Sequence, residues 1–388
     1  MFTLEALQAN DGDCFLLHYG SDDKPKIILI DGGPKTIYKN VLKPRLDELR
    51  GKGTLDLRMV MVSHIDLDHI TGILDMFRNL TELQNSGKPQ PYAVRSLWHN
   101  SFEELGVAKK AAVENRVVGA AVSGGDAKVP GLDDKVKAVV ASIKQGNDLR
   151  NYAMKLGVNI NAETKGELVC APETGQNTLK IDPDAGLTFT VLGPREAELN
   201  KLEDEWEKAK TKPKAKATPQ AIAADYLNRT IPNLSSIVVL AELKAGRRAA
   251  KRMLLTGDAG GDFILEGLES AGLLTDGKIH VDLLKVQHHG SRHSIEQDFF
   301  ESVTADQYVI SGDGKHGNPS METLKWLSAA RSGEAYDAYL TNKKLKENLT
   351  KPLTSFLTAE AKNQPRHTYH FRDEKALSIS VDVGGRSH

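Results

Sequence analysis

Cysteine is scarce in this chain. Its 388 residues hold two, Cys14 and Cys170, which excludes a disulfide framework and fits a reducing compartment. Neither stands in a Cys-x-x-Cys pair, so sulfur is not expected among any metal ligands. Long apolar runs are also missing: none approaches the roughly 18 residues of a membrane span. The chain starts on a strand-like segment, MFTLEALQ, without the basic and apolar regions of a secretory signal. The expectation is a cytoplasmic protein with no membrane contact. Net charge is nearly absent too. A formal −1 excludes a globally basic nucleic-acid binder and leaves only a local patch for that purpose. The remaining composition, 40% hydrophobic and 27% charged, is that of an ordinary globular protein.

Against this plain background one segment stands out. Val62 to Gly72, VSHIDLDHITG, gathers His64, Asp66, Asp68 and His69 directly behind the apolar run LRMVMV. Imidazole nitrogen and carboxylate oxygen are donors that Zn, Mn and Fe accept. A strand ending in four such groups, with a helix starting behind them, is a way to build a metal site. The bland alternative is a polar loop whose side chains cap the next helix.

Further pieces follow downstream. Asp258 closes the strand RMLLTG within Thr256-Gly257-Asp258, and Gln287-His288-His289-Gly290-Ser291 follows DLLKV. Ser311-Gly312-Asp313 ends YVIS, and His316 lies in the Gly-rich loop after it. Strand ends that all carry His or Asp imply one shared rim, where active sites of layered α/β folds gather. Adjacent histidines on an extended chain point opposite ways. His288, first after the strand, is therefore the expected ligand, and His289 is expected to face substrate.

Periodicity places these motifs. FTLEALQ, DCFLLHYG and KIILIDGG read as short strands, Ile70 to Leu83 as a helix, and SLWHN as another strand. Residues 101–180 turn rich in Ala, Lys, Asp and Gly and read as a helical insertion. Residues 195–230 read as a second, charged insertion, whose stretch Lys208 to Lys216 could touch phosphates or merely be solvated. From Asn233 strands return, with helices at Phe263 to Ala271 and Pro319 to Ala330, and RHTYHF and ALSISVDV read as a closing hairpin. The whole, 1–388, reads as one α/β domain with two sheets back to back and helices outside.

Together these elements resemble the metallo-β-lactamase superfamily, a four-layer αββα sandwich. The family's first motif, His-x-His-x-Asp-His, reads here as His64-x-Asp66-x-Asp68-His69. That departure, with Asp31-Gly32-Gly33, Asn233-Leu234-Ser235-Ser236-Ile237 and the Leu284 to Ser291 motif, looks like the branch holding the hydrolase domain of ComEC-type DNA-uptake proteins. The resemblance implies two divalent metal ions, Zn or Mn, about 3.5–4 Å apart and bridged by Asp258. His64 and Asp66 would hold one. Asp68, His69 and a downstream His, expected to be His288, would hold the other. His99, the sole His between His69 and Asp258, is a further candidate ligand. A water between the metals would lose its proton and attack, Asp68 would orient it, and His289 or His316 would protonate the leaving oxygen. Asp66 in place of His favours Mn²⁺ beside zinc. The expected activity is that of a two-metal phosphodiesterase, with nucleic acid as the candidate substrate. Hydrolysis of a small ester, lactone or amide, or a non-catalytic metal-binding interaction module, are the competing readings.

Overall fold

The computed structural model describes residues 1–100, 134–195, 236–244, 246 and 249–383, with backbone alone for 134–143. The core of the 101–180 insertion, the Lys208 to Lys216 stretch and Asn233-Leu234-Ser235 lie outside the described residues.

The chain is mixed α/β, with two eight-stranded sheets among the described residues. The first contains β1 (Phe2–Leu7), β2 (Phe15–Ser21), β3 (Lys24–Ile30), β4 (Leu55–Met61), β5 (Tyr92–Val94), β6 (Ser96–Trp98), β7 (Asn159–Ile160) and β16 (Ser378–Asp382). Its order is β16-β1-β2-β3-β4-β6-β7, with β5 also paired to β4. The second contains β8 (Asn177–Asp182), β9 (Leu187–Gly193), β10 (Val238–Leu243), β11 (Lys251–Leu255), β12 (Ile279–Lys285), β13 (Val303–Ile310), β14 (Tyr336–Leu340) and β15 (His367–Phe371), in reverse chain order across the sheet. Each sheet is half antiparallel and half parallel. The parallel halves are β3-β4-β6-β7 and β11 through β15.

Alternation along each strand builds the layers. In β3, Ile28 and Ile30 face one core while Ile27 and Leu29 face another. The first core lies between the sheets, where Trp98 meets Phe189 edge to face at 5.8 Å. The second packs the first sheet against α1 (Lys43–Arg50), α2 (Leu67–Asn85) and α3 (Asp134–Leu156). A third packs the second sheet against α4 (Gly261–Ser270), α5 (Gln297–Ser302), α6 (Met321–Ala330) and α7 (Thr350–Asn363). Strands buried on both faces read as continuous apolar runs, which is why KIILI and LRMVM stand out in the sequence.

Two expectations need correction. RHTYHF and ALSISVDV do not form a hairpin: β15 runs parallel to β14 in one sheet, and β16 runs antiparallel to β1 in the other. Arg372 turns the chain between them, its guanidinium donating to the carbonyls of Thr341, Asp373, Glu374 and Ala376. The helical reading of residues 101–180 also extends too far. Helix α3 ends at Leu156, and β7 and β8 then occupy one edge of each sheet.

Candidate metal centre

Parallel strands end on one edge, and here both sheets bring theirs together. Asp31 follows β3, Ser63 and His64 follow β4, Asp258 follows β11, and His288 and His289 follow β12. Close backbone approaches set the register of this edge. Helix α2 starts with Asp66 as its N-cap and lies against the turn after β3, where Gly32 N–H donates to His69 O and Gly72 N–H to Gly33 O. A Cβ on Gly72 would stand 1.9 Å from Gly32 O, so only glycine lets the helix come this near. Gly12 plays the same part for the β1–β2 turn: a Cβ there would sit 2.0 Å from Asp68 O. That contact swings Asp13 into the site.

Four imidazoles converge on one oxygen. The Nε2 atoms of His64, His69, His288 and His289 lie 3.8, 3.3, 3.8 and 3.5 Å from Asp258 Oδ2. Asp68 Oδ2 is 3.4 Å from His289 Nε2 and 3.9 Å from His69 Nε2, and Asp66 Oδ2 is 3.6 Å from His64 Nε2. Asp68, His69, Asp258 and His289 form one tight group, each offering a ligand atom within 4.8 Å of the others. A polar atom faces the opposite side of each ring. Asp31 Oδ2 lies 2.9 Å from His69 Nδ1, and Asp31 also accepts the Ser63 N–H and hydroxyl. Asp13 Oδ1 is 3.1 Å from His289 Nδ1, Ser294 Oγ is 2.6 Å from His288 Nδ1, and Ser63 Oγ is 3.1 Å from His64 Nδ1. A neutral imidazole held at Nδ1 presents a bare Nε2 lone pair, as a metal ligand must.

The ligand atoms fit a cation better than one another. Among the described residues, buried His64 Nε2, His69 Nε2, His289 Nε2 and Asp258 Oδ1 have no hydrogen-bond partner, and neither do His289 Nδ1 and the two Asp13 oxygens, whose contacts are ion-pair approaches without hydrogen-bond alignment. Such atoms are costly to bury. A cation about 2.1 Å from two ligands at a tetrahedral angle holds them about 3.4 Å apart, close to the spacings seen here. Charge agrees. Among the described residues, Asp13, Asp31, Asp66, Asp68 and Asp258 gather around these histidines with one buried ammonium, that of Lys285, beside Asp13 and Asp258. With neutral imidazoles that leaves four negative charges, which two divalent cations would balance.

Titration follows from the same crowding. Burial opposes ionisation of Asp258, yet His69, His289 and His288 hold its carboxyl well below the usual range. Asp68 is likewise opposed by burial, but His69 and His289 hold it at about 2. Burial would lower His69 and His289, but their carboxylate neighbours, Asp258 foremost, push both well above 6.5. His288 goes the other way, because burial outweighs Asp258.

Several expected residues fall elsewhere. The histidine pair is not extended: His288 and His289 both adopt left-handed backbone, φ 49° and 55°, so both rings reach Asp258. It is His289, expected to face substrate, that joins the tight group; His288 stays about one-third exposed beside it. His99 is buried, its Nε2 3.2 Å from the Gly146 carbonyl of α3, and burial pushes it down to about 4. It is outside the tight group. His316 is exposed on the rim. Its backbone N–H donates to Glu347, and no ion pair or hydrogen bond ties its ring to the cluster among the described residues. Asp313 holds its own loop through Lys346 and the Lys315 N–H. Sequence reading missed Asp13 and Lys285. Their signals were a second Asp beside a glycine in Asp11-Gly12-Asp13 and a lysine inside the apolar run LLKV.

Comparison with known proteins adds a partial likeness. No protein-family model matches the chain. Microtubule-associated protein 1A of Rattus norvegicus is 33% identical over 118 residues, covering 29% of this chain and 4% of that protein. The Homo sapiens protein of that name is also 33% identical over 118 residues, and that of Mus musculus 32% over 117. The chain thus spans 4% of the length of these curated relatives.

Proposed function

We propose that this chain is a metal-dependent hydrolase of the metallo-β-lactamase type, a four-layer αββα sandwich, and most specifically a two-metal phosphodiesterase acting on nucleic acid. The observation that carries the reading is the ring of four Nε2 atoms around Asp258 Oδ2, three of which, on His64, His69 and His289, are buried without a hydrogen-bond partner. Asp68, His69, His289 and Asp258 would hold one cation, and His64, Asp66, His288 and Asp258 the other. Zn²⁺ and Mn²⁺ both suit this N/O set, and its carboxylates favour Mn²⁺ more than an all-imidazole set would. Bound there, divalent cations supply an activated water and neutralise charge on the attacked phosphorus oxygens.

The chain's own groups do the rest. Asp31 lies in hydrogen-bond contact with His69 Nδ1 and Asp13 stands 3.1 Å from His289 Nδ1, which would favour one orientation of each ring. Asp68 is partly exposed, at 31% of its side chain, and can orient an attacking water. Lys315, paired with Asp11, and Arg292, directly behind the histidine turn, are half-exposed cations at the rim and suit an anionic substrate. His316 on the same rim is the candidate donor to the leaving oxygen.

The test is metal content followed by turnover. The 388-residue chain should take up close to two Mn²⁺ or Zn²⁺ and then cleave bis-p-nitrophenyl phosphate and DNA or RNA. Uptake of no divalent metal at micromolar exposure would remove the hydrolase reading. Cleavage of esters or lactones in place of phosphodiesters would transfer it to small substrates. A second reading, a partner-binding module, draws on the partial likeness to proteins named for microtubule association; bound metal without turnover of any of these substrates would favour it.

A further inference from the structure

Lys285 is the last residue of β12 and is 2% exposed. Among the described residues it is the only buried lysine. Alternation explains its direction. Leu283 faces the core between the sheets and Leu284 the helices, so Lys285 turns inward again, toward the other sheet. There its Nζ pairs with Asp13, donates to Gly257 O at 2.8 Å and stands 3.7 Å from Asp258 Oδ1. Its own carbonyl accepts the Thr256 hydroxyl at 2.7 Å. One ammonium thus ties the β1–β2 turn of the first sheet to the strand ends of the second.

Asp13 faces His289 as Asp31 faces His69: each has a carboxylate oxygen within 3.1 Å of Nδ1 and leaves Nε2 toward Asp258, but the Asp31 contact is a hydrogen bond and the Asp13 contact is an ion-pair approach without that alignment. The two carboxylates are held differently. Asp31 is fixed by the Ser63 backbone and hydroxyl, whereas Asp13 is fixed by the Lys285 ammonium. His289 also needs such support more, since its left-handed backbone is a conformation that persists only when its surroundings impose it. We propose that Lys285 and Asp13 act as a pair of positioning residues that lock the His289 ring, so that its Nε2 faces Asp68 and Asp258 as a cation ligand. This rests on the metal-dependent reading above. A salt bridge that merely joined the two sheets would make no difference to His289 in particular.

Calorimetric titration of the 388-residue chain with Mn²⁺ separates these roles. Removing Lys285 alone strands a buried carboxylate and endangers the fold. The test variant is therefore Asp13→Asn with Lys285→Met, which replaces the ion pair by neutral groups of similar size; circular dichroism and melting check that it folds. Asp13→Asn alone should move affinity the same way and serves if the double variant does not fold. The double variant should bind Mn²⁺ at the His289 position about 10- to 100-fold more weakly than wild type. On a His289→Ala background the same double change should alter Mn²⁺ affinity by less than about twofold, because the group it positions is gone. An equal loss on both backgrounds, or wild-type affinity in the double variant, overturns the proposal and leaves the metal reading standing. A wild-type protein that binds no Mn²⁺ overturns both.

Discussion

His288 and His289 are neighbours in the chain with opposite electrostatics. Carboxylates on both sides of His289 push its pKa well above 6.5, while burial pushes His288 down. Only His289 sits in the tight group with Asp68, His69 and Asp258. His289→Ala should therefore weaken cation binding at that position by at least about tenfold. His288→Ala should leave that position intact and weaken only the one shared with His64. Titration stoichiometry followed by elemental analysis tells the two apart, and the reverse pattern would restore His288 as the ligand there. His99→Gln should bind cation as wild type does, since its ring serves Gly146. The histidines and aspartates themselves were legible, because dense His and Asp at strand ends have few other uses. Their assignment was not, because left-handed backbone at two consecutive histidines carries no residue signature.

Helix α2 illustrates what an element contributes. Its apolar spacing from Ile70 onward is visible in the sequence, and so is its start behind Asp66. What the pattern does not reveal is how closely the helix must lie. Gly72 and Gly32 meet with no room for a methyl group on either, and His69 and Asp68 ride on the first turn of that helix. Gly72→Ala should force α2 away from the β3 turn, at about 1–3 kcal/mol of stability, and weaken cation binding with it. Gly53→Ala is the control, since a Cβ there would meet nothing nearer than 3.7 Å and its backbone is not left-handed. Melting temperature and Mn²⁺ affinity both falling in Gly72→Ala but not in Gly53→Ala is the expected result; unchanged affinity at lowered stability would show that the helix position does not set the ligands. Strand partners were equally hidden. The alternating residues of β15 and β16 identify strands, yet their assignment to different sheets depends on long-range pairing and on Arg372 binding carbonyls as the chain turns.

Across the whole molecule the near-zero net charge conceals a strong local excess of carboxylates at one edge, and protons and cations must compete for it. In the cation-free protein His69 and His289 have pKa values raised above the ordinary 6.5 by Asp258 and its neighbours against the pull of burial. The stability those protons contribute is full below about pH 6.5 and is lost as pH rises through the folded-state values. Cation binding has the opposite dependence. It needs neutral imidazoles, so affinity should be low in acid, climb as pH rises through those same raised values, and level off only above them. This places the climb higher than the ordinary histidine pKa would. His99 and His288, pushed down by burial, contribute stability that is full above about pH 6.5 and lost as pH falls. Melting temperature therefore mixes opposing signs, and the proton count on binding is the clean readout. Calorimetry of Mn²⁺ binding at pH 7, in buffers of different ionisation enthalpy, should show about two protons released when the sites fill. His289→Ala should remove about one of them. Binding without proton release at pH 7 would mean that the imidazoles are already neutral, and that the carboxylate crowd around Asp258 does not govern the site.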